Sequence, residues 1–390
     1  MPRPFAFLRF SQTFLRSTAA LLCTLGCSSS SSRSATPCQA GDQRPCDCGG
    51  TPGIQICDSG SFGSCQCGQD AGTGGTDAGS GGQSGAGGAG GAGGQDAGAA
   101  GQGGYGLADS KSCVGLGDCI TGVSCCASRT VVGGTFKRDN NGAAKFSAKV
   151  ADFELDVFEV TVGRFRAYAE NEKALPGVGA GKHTHLGSGA IKDETGWLAG
   201  WVAQPPNWNS ALTQCAKNSG NEKPTWTLAP GKNENRPLNC VGFEAAYAFC
   251  IWVGGFLPTE AELNYAFVNG SDAKAFPWGD EALDTTRAAY GLGAGMLPPD
   301  VGSKPAGAGK WGHHDLAGSV FEWTLDSSSS SYPIAPCDNC AGSSIEVYPR
   351  AIRGGGWESG AIDIAADRRY SWDGGGNNVG FRCAYPPPNL

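Results

Sequence analysis

The 390-residue chain contains no run of lysine and arginine and only four histidines. Its 29 basic and 36 acidic residues leave a formal charge of −7, spread along the sequence. A nucleic-acid binder needs a concentrated basic footprint, so that partner class is set aside. The patterns G-x-S-x-G, G-x-x-x-x-G-K and H-E-x-x-H are absent as well. With them go the nucleophile elbow, the phosphate-cradling loop and the zinc-peptidase helix. Histidine chemistry has little to draw on. His183 and His185 fall in a glycine-rich loop and are expected to be solvated, while His313 and His314 adjoin an acidic turn and are expected to pack or hydrogen-bond there.

Glycine and cysteine are abundant instead. The first 27 residues read as an export signal: Arg3, Arg9 and Arg16 precede the short apolar stretch "STAALLCTLGC", which is too short to span a bilayer. Gly26 directly before Cys27, followed by serines, has the layout of a lipoprotein processing site, with Cys27 lipidated. Plain signal cleavage is the alternative. The expected location is therefore outside the inner membrane, periplasmic or at the cell surface, with the lipid as sole membrane contact. Export makes the 18 cysteines readable as disulfide formers. Residues 28–67 hold a repeat, C-x7-C-x-C, at Cys38/Cys46/Cys48 and again at Cys57/Cys65/Cys67. So little apolar residue cannot bury a core, and crosslinks are expected to hold it, a metal cluster being the alternative. Residues 68–110 are glycine- and alanine-rich and read as a disordered tether, with an end-to-end distance of roughly 35 Å.

From residue 111 to 390 the pattern becomes that of a folded domain. "FELDVFEV" alternates as a strand from Phe153 to Val160, with Phe153, Leu155 and Val157 on one face. Thr161 is placed to cap a helix "VGRFRAYAEN", and a second helix runs through Phe243, Tyr247, Cys250 and Ile251 to end at Gly254. Thr259 and Glu262 have the spacing of a capping box for a third. Short strands and many Gly/Pro turns follow. The class is α+β with low regular content, stapled by disulfides.

Six pieces stand in a recognisable order: "DVFEVTVGRFRAYAE", "RPLNCVGFEAAYAFCIWVGGFLPTEAELNYAF", "FPWGD", "GHHDLAGSVFEW", "AIRGGGW" and "NNVGFRCAY". Together they resemble the sulfatase-modifying-factor domain, the family of the formylglycine-generating enzyme, over about residues 129–386. The opening "SCCASRTVVGGTF" resembles glycine-rich lipoprotein members in myxobacteria. The resemblance implies the formylglycine-generating-enzyme fold, related to C-type lectins. It also implies one structural Ca²⁺ at Asp315, Gly318, Val320 and Glu322, where a tight turn offers two carboxylates and backbone carbonyls. A metal-free turn, with Asp315 capping N–H groups and Glu322 in an ion pair, is the alternative. A second family calcium position falls on Arg287–Gly293, which has alanines where an asparagine is needed.

The same resemblance defines what is missing. Copper-binding members hold the metal between two thiolates after the R-G-G-S motif, and those positions fall here on Ser359 and Ile364. Soft copper(I) needs soft ligands, which neither supplies, so copper is not expected. Cys250 and Cys383 match a family disulfide. Parity makes Cys215 with Cys240, and Cys337 with Cys340, further pairs, and Cys113, Cys119, Cys125 and Cys126 two more. Cys337–Cys340 could also serve redox chemistry, although no thioredoxin-like pattern surrounds it. A branch of the family that uses iron takes its histidines from a helical domain this chain lacks. Exposed aromatics favour recognition, so Trp197 and Trp201 in a Gly-rich insertion, with Arg368, Arg369 and Trp372 near the copper positions, are candidates to line a groove, folding back onto the body being the alternative for the insertion. Arg353 and Arg382 are expected to be buried structural partners. The expected function is a non-catalytic binding or scaffold module for an unknown protein, peptide or glycan. The alternative is an oxidase converting a sulfatase cysteine to formylglycine.

Overall fold

A computed structural model describes residues 111–388 except 139–145, 173, 188–190, 192–193, 204, 206, 214–222, 294, 329–335 and 343–348, and before residue 111 only the backbone of four strands. The signal with Cys27, the tether, the pairing of Cys38 to Cys67, and Cys215 lie outside the described residues. The chain divides into two units, Met1–Gly93 and Gly94–Leu390. In the first, β1 (Gln43–Asp47) pairs antiparallel with β2 (Pro52–Asp58), which also pairs with β3 (Ser61–Phe62) and β4 (Gln66–Cys67).

The second unit begins with β5 (Asp118–Ile120), β6 (Val123–Ser124), β7 (Ser128–Val131), β8 (Gly134–Lys137), β9 (Ser147–Val150) and β10 (Phe153–Asp156). Helices α1 (Val162–Asn171), α2 (Trp208–Thr213), α3 (Phe243–Trp252) and α4 (Glu260–Phe267) follow. The chain then returns through β11 (Phe321–Ser327), β12 (Cys337–Asp338), β13 (Arg350–Arg353), β14 (Tyr370–Trp372), β15 (Val379–Gly380) and β16 (Ala384–Tyr385). Three small sheets result, in the orders β16-β10-β7, β12-β9-β8 and β14-β13-β11-β15, beside a β5-β6 hairpin. Helices and strands are mixed, and none of the helices exceeds ten residues.

Local chemistry explains where the helices start. The Thr161 side chain accepts the N–H of Arg164, and α4 carries the full capping box of Thr259 and Glu262. Gly254, at φ +87°, turns the chain away after α3. The helices are held by aromatic packing: Phe165 of α1 stacks on Phe249 of α3 at 5.6 Å, and Phe381 sets its edge against both. The disulfide Cys250–Cys383 then ties α3 to the segment entering β16.

The expected strand from Phe153 to Val160 ends earlier, at Asp156, and does not alternate in burial. All four residues of β10 are buried. Its place between β7 and β16 pairs both of its edges, and its two faces are both covered by packing, which leaves none for solvent. Its acids are accommodated by partners instead. Glu154 accepts a hydrogen bond from Ser128, and Asp156 takes Arg164 at 2.9 Å together with the Tyr385 hydroxyl. Cys113–Cys126, Cys119–Cys125 and Cys337–Cys340 also form. Cys240 is disulfide-bonded too.

Candidate functional site

The turn from Asp315 to Glu322 is tightly built and buried. Asp315 and Ser319 take left-handed backbone angles of φ +58° and +60°, and Gly318 lies at +82°. A Cβ on Gly318 would come 2.4 Å from the Ala289 carbonyl, so only glycine fits there. The Asp315 carboxylate accepts the N–H of Gly302. Glu322 receives a two-pronged bond from Arg382, at 2.7 and 2.8 Å. A third carboxylate, unforeseen from the sequence, joins them: Glu159 accepts the Ser319 hydroxyl and the Val320 N–H.

All three acids and Arg382 are at most 9% exposed. Burial raises the pKa of Glu159, Asp315 and Glu322 above the ordinary carboxylate range, with repulsion from neighbouring acids adding to it: Asp315 and Glu322 on Glu159, Glu322 on Asp315, and Asp156 on Glu322. The turn therefore holds more acid than one guanidinium can neutralise. Among the described residues, no three His, Cys, Asp or Glu side chains are placed to hold a metal alone. A cation here would rely on main-chain oxygens, and the Gly318 and Val320 carbonyls accept no main-chain hydrogen bond from the described residues. These donors, hard oxygens throughout, fit Ca²⁺ in kind.

The two copper positions have different fates. Ile364 is fully buried, and its side chain crosses Gly355 so closely that a Cβ there would meet it at 2.3 Å. Ser359 Oγ is occupied in accepting the Gly356 N–H at 3.0 Å. Each cysteine described from residue 111 onward is in a disulfide. A hydroxyl and an isoleucine do not fit copper.

Beside Ser359 stands a polar cluster that sequence reading missed. Glu358 pairs with Lys223 and accepts from the side-chain amides of Asn377 at 3.3 Å and Asn378 at 3.4 Å. Asn377 in turn accepts the main-chain N–H of Lys223 at 2.8 Å. Asn378 packs over Gly356, where the family motif has serine, 3.0 Å from the position a Cβ would take. The adjacent asparagines in "GGGNNVGF" were the available signal, but nothing local linked them to Glu358 or Lys223.

The candidate groove residues separate. Trp372 is 42% exposed, with its indole nitrogen against Gly376. Arg368 lies near Asp367 at 3.6 Å. Arg369 is not a groove residue: it bonds Glu260 at 2.6 Å, beside Arg353, which bonds the same carboxylate. Trp197 is not one either, because it is 2% exposed and stands edge-on to Trp201. Trp201 packs on Phe243 and Tyr247 of α3. The insertion folds back because its aromatics gain more by burial than by exposure.

The expectation for His183 is overturned as well. It is 2% exposed, with Nδ1 2.6 Å from Glu194 and Nε2 3.2 Å from Glu262. Burial opposes its charge, but the two carboxylates outweigh this and hold its pKa at about 9. His185 stacks on Phe256, and burial pushes its pKa down. His313 and His314 behave as expected: His313 bonds the Leu155 carbonyl and His314 stacks on Phe158.

Residues 123–386 match the family described as the sulfatase-modifying factor enzyme 1-like domain. The chain is 26% identical over 280 residues to a formylglycine-generating enzyme of Thermomonospora curvata, covering 65% of this chain and 88% of that protein. It is 30% identical over 176 residues to the formylglycine-generating enzyme of Streptomyces coelicolor, covering 38% of this chain and about half, 52%, of the relative. A third relative, from Bos taurus, is named inactive C-alpha-formylglycine-generating enzyme 2. It is 26% identical over 271 residues, covering 63% of this chain and 81% of its own length.

Proposed function

The chain belongs to the sulfatase-modifying factor family, and from that premise we propose that it is an exported, lipid-anchored member whose domain binds a ligand and does not oxidise cysteine. One observation carries this reading: the positions of the copper thiolates hold a hydrogen-bonded serine and a fully buried isoleucine. The disulfides remove the cysteines described in the domain, from residue 111 onward, as substitutes. A relative that bears the name inactive agrees with such a loss within the family. The anchor is Cys27, and the glycine-rich segment holds the domain away from the membrane.

A structural Ca²⁺ belongs to the same proposal. Asp315 and Glu322 would hold it with the main-chain oxygens of Gly318 and Val320, and the three buried acids facing one arginine support a cation at this turn. Its role is to fix the turn that leads into β11. No catalytic step passes through it.

Copper(I) titration of the full chain against a colorimetric chelator tests the reading. The expected result is no stoichiometric copper retained by the protein. One tightly held copper per chain would overturn it.

A further inference from the structure

The geometry points to a carbohydrate site on the face formed by Trp372, Glu358, Asn377, Asn378 and Lys223, taking one pyranose ring of a neutral glycan. The inference rests on the binding-module reading and names the ligand class for it. Its first element is Trp372. A ring left 42% exposed is a poor use of an indole unless something covers it. A Cβ at residue 376 would come 2.7 Å from its Nε1, so Gly376 is what lets the ring lie on the chain. A sugar ring presents C–H bonds on one face, and these are slightly positive. The face of an indole is slightly negative and flat, so the two stack.

The second element is the pattern of donors and acceptors next to that ring. Residues 377 and 378 follow Gly376 directly, and both send amide N–H groups to Glu358. At 3.3 and 3.4 Å these bonds are long, and a hydroxyl can displace them. Asn378 Oδ1 is buried and accepts no hydrogen bond from the described residues. Each sugar hydroxyl is both donor and acceptor, and planar carboxylate and carboxamide groups can bridge two neighbouring hydroxyls. Lys223 neutralises Glu358, so this polar cluster carries no net charge with which to select an ion. Neutral, hydroxyl-rich and flat on one side is the chemistry of an uncharged pyranose unit.

Affinity electrophoresis of the full chain through gels containing soluble neutral polysaccharides (a glucan, a mannan, a galactan and a xylan) tests this. Retardation in at least one gel is expected, with Trp372→Ala weakening it about tenfold. Asn378→Ala and Gly376→Ala should each weaken it too, the last by displacing the indole. Trp372 is exposed, so its variant should keep the parent melting temperature. Retardation in none of the gels, or retardation that Trp372→Ala leaves unchanged, would overturn the site. So would binding of an extended sulfatase-type peptide that depends on Trp372 with no polysaccharide binding. Failure here with copper still unbound removes only the sugar site. Stoichiometric copper binding is a separate result and would overturn the underlying reading instead.

Discussion

Replacing His183 by glutamine removes a buried charge that links the insertion to α4. His183 stands between Glu194, in the insertion, and Glu262, in the capping box of α4, and its side chain is fully buried. His185 stands close by, but its own pKa is lowered, so it does not replace the charge, and Tyr247, whose pKa burial raises, stays neutral. The folded-state pKa of His183 is raised from 6.5 to about 9, which corresponds to roughly 3 kcal/mol. Removing one partner of a buried ion pair independently suggests about 3–5 kcal/mol. The sign follows from the direction of the shift. A raised pKa contributes stability that is complete below about pH 6.5 and is lost as pH climbs towards about 9. Urea unfolding of the parent chain between pH 6 and 9 should therefore show stability falling over that window. The H183Q chain should start lower by a similar amount and lack that part of the slope. Parallel pH profiles for the two proteins would refute the buried charged histidine.

Further expectations concern the frame around the site. Cys250→Ser with Cys383→Ser opens a crosslink spanning 133 residues and should lower stability by about 5 kcal/mol on chain-entropy grounds, read by non-reducing thermal melts. An unchanged melt would deny the crosslink its role. Gly318→Ala sets a Cβ against the Ala289 carbonyl at positive φ, and should cost about 1–3 kcal/mol or block folding. Chelation with EDTA should lower the melting temperature and added Ca²⁺ should restore it, while Asp315→Ala should make the protein indifferent to both. A melt insensitive to chelation in the parent would remove calcium from the account.

What could be read in the sequence was what is local. The caps at Thr161 and Thr259 sit within three residues of the N–H groups they satisfy, so α1 and α4 start where the sequence places them. The early end of β10 was not legible, because the acids Glu154 and Asp156 look solvent-facing until Ser128, Arg164 and Tyr385 are brought to them. The same limit applies at the site. Ser359 and Ile364 were found because they follow a motif by count. Glu358 was missed because its partner Lys223 lies 135 residues away. His183 reads as solvated from the sequence because its second carboxylate, Glu262, lies 79 residues on. The insertion tryptophans could not be assigned to core or groove from composition, and only packing against α3 decides for Trp197 and Trp201.

The central claim is that the family's oxidase centre has been replaced in this chain. The full protein, incubated with a cysteine-containing sulfatase peptide, copper(I) and O₂, can be scored for aldehyde by mass spectrometry. The account predicts that the peptide cysteine is recovered unchanged, beside an authentic formylglycine-generating enzyme that converts it. Aldehyde formed by this chain would contradict the account and would place a catalytic metal away from Ser359 and Ile364.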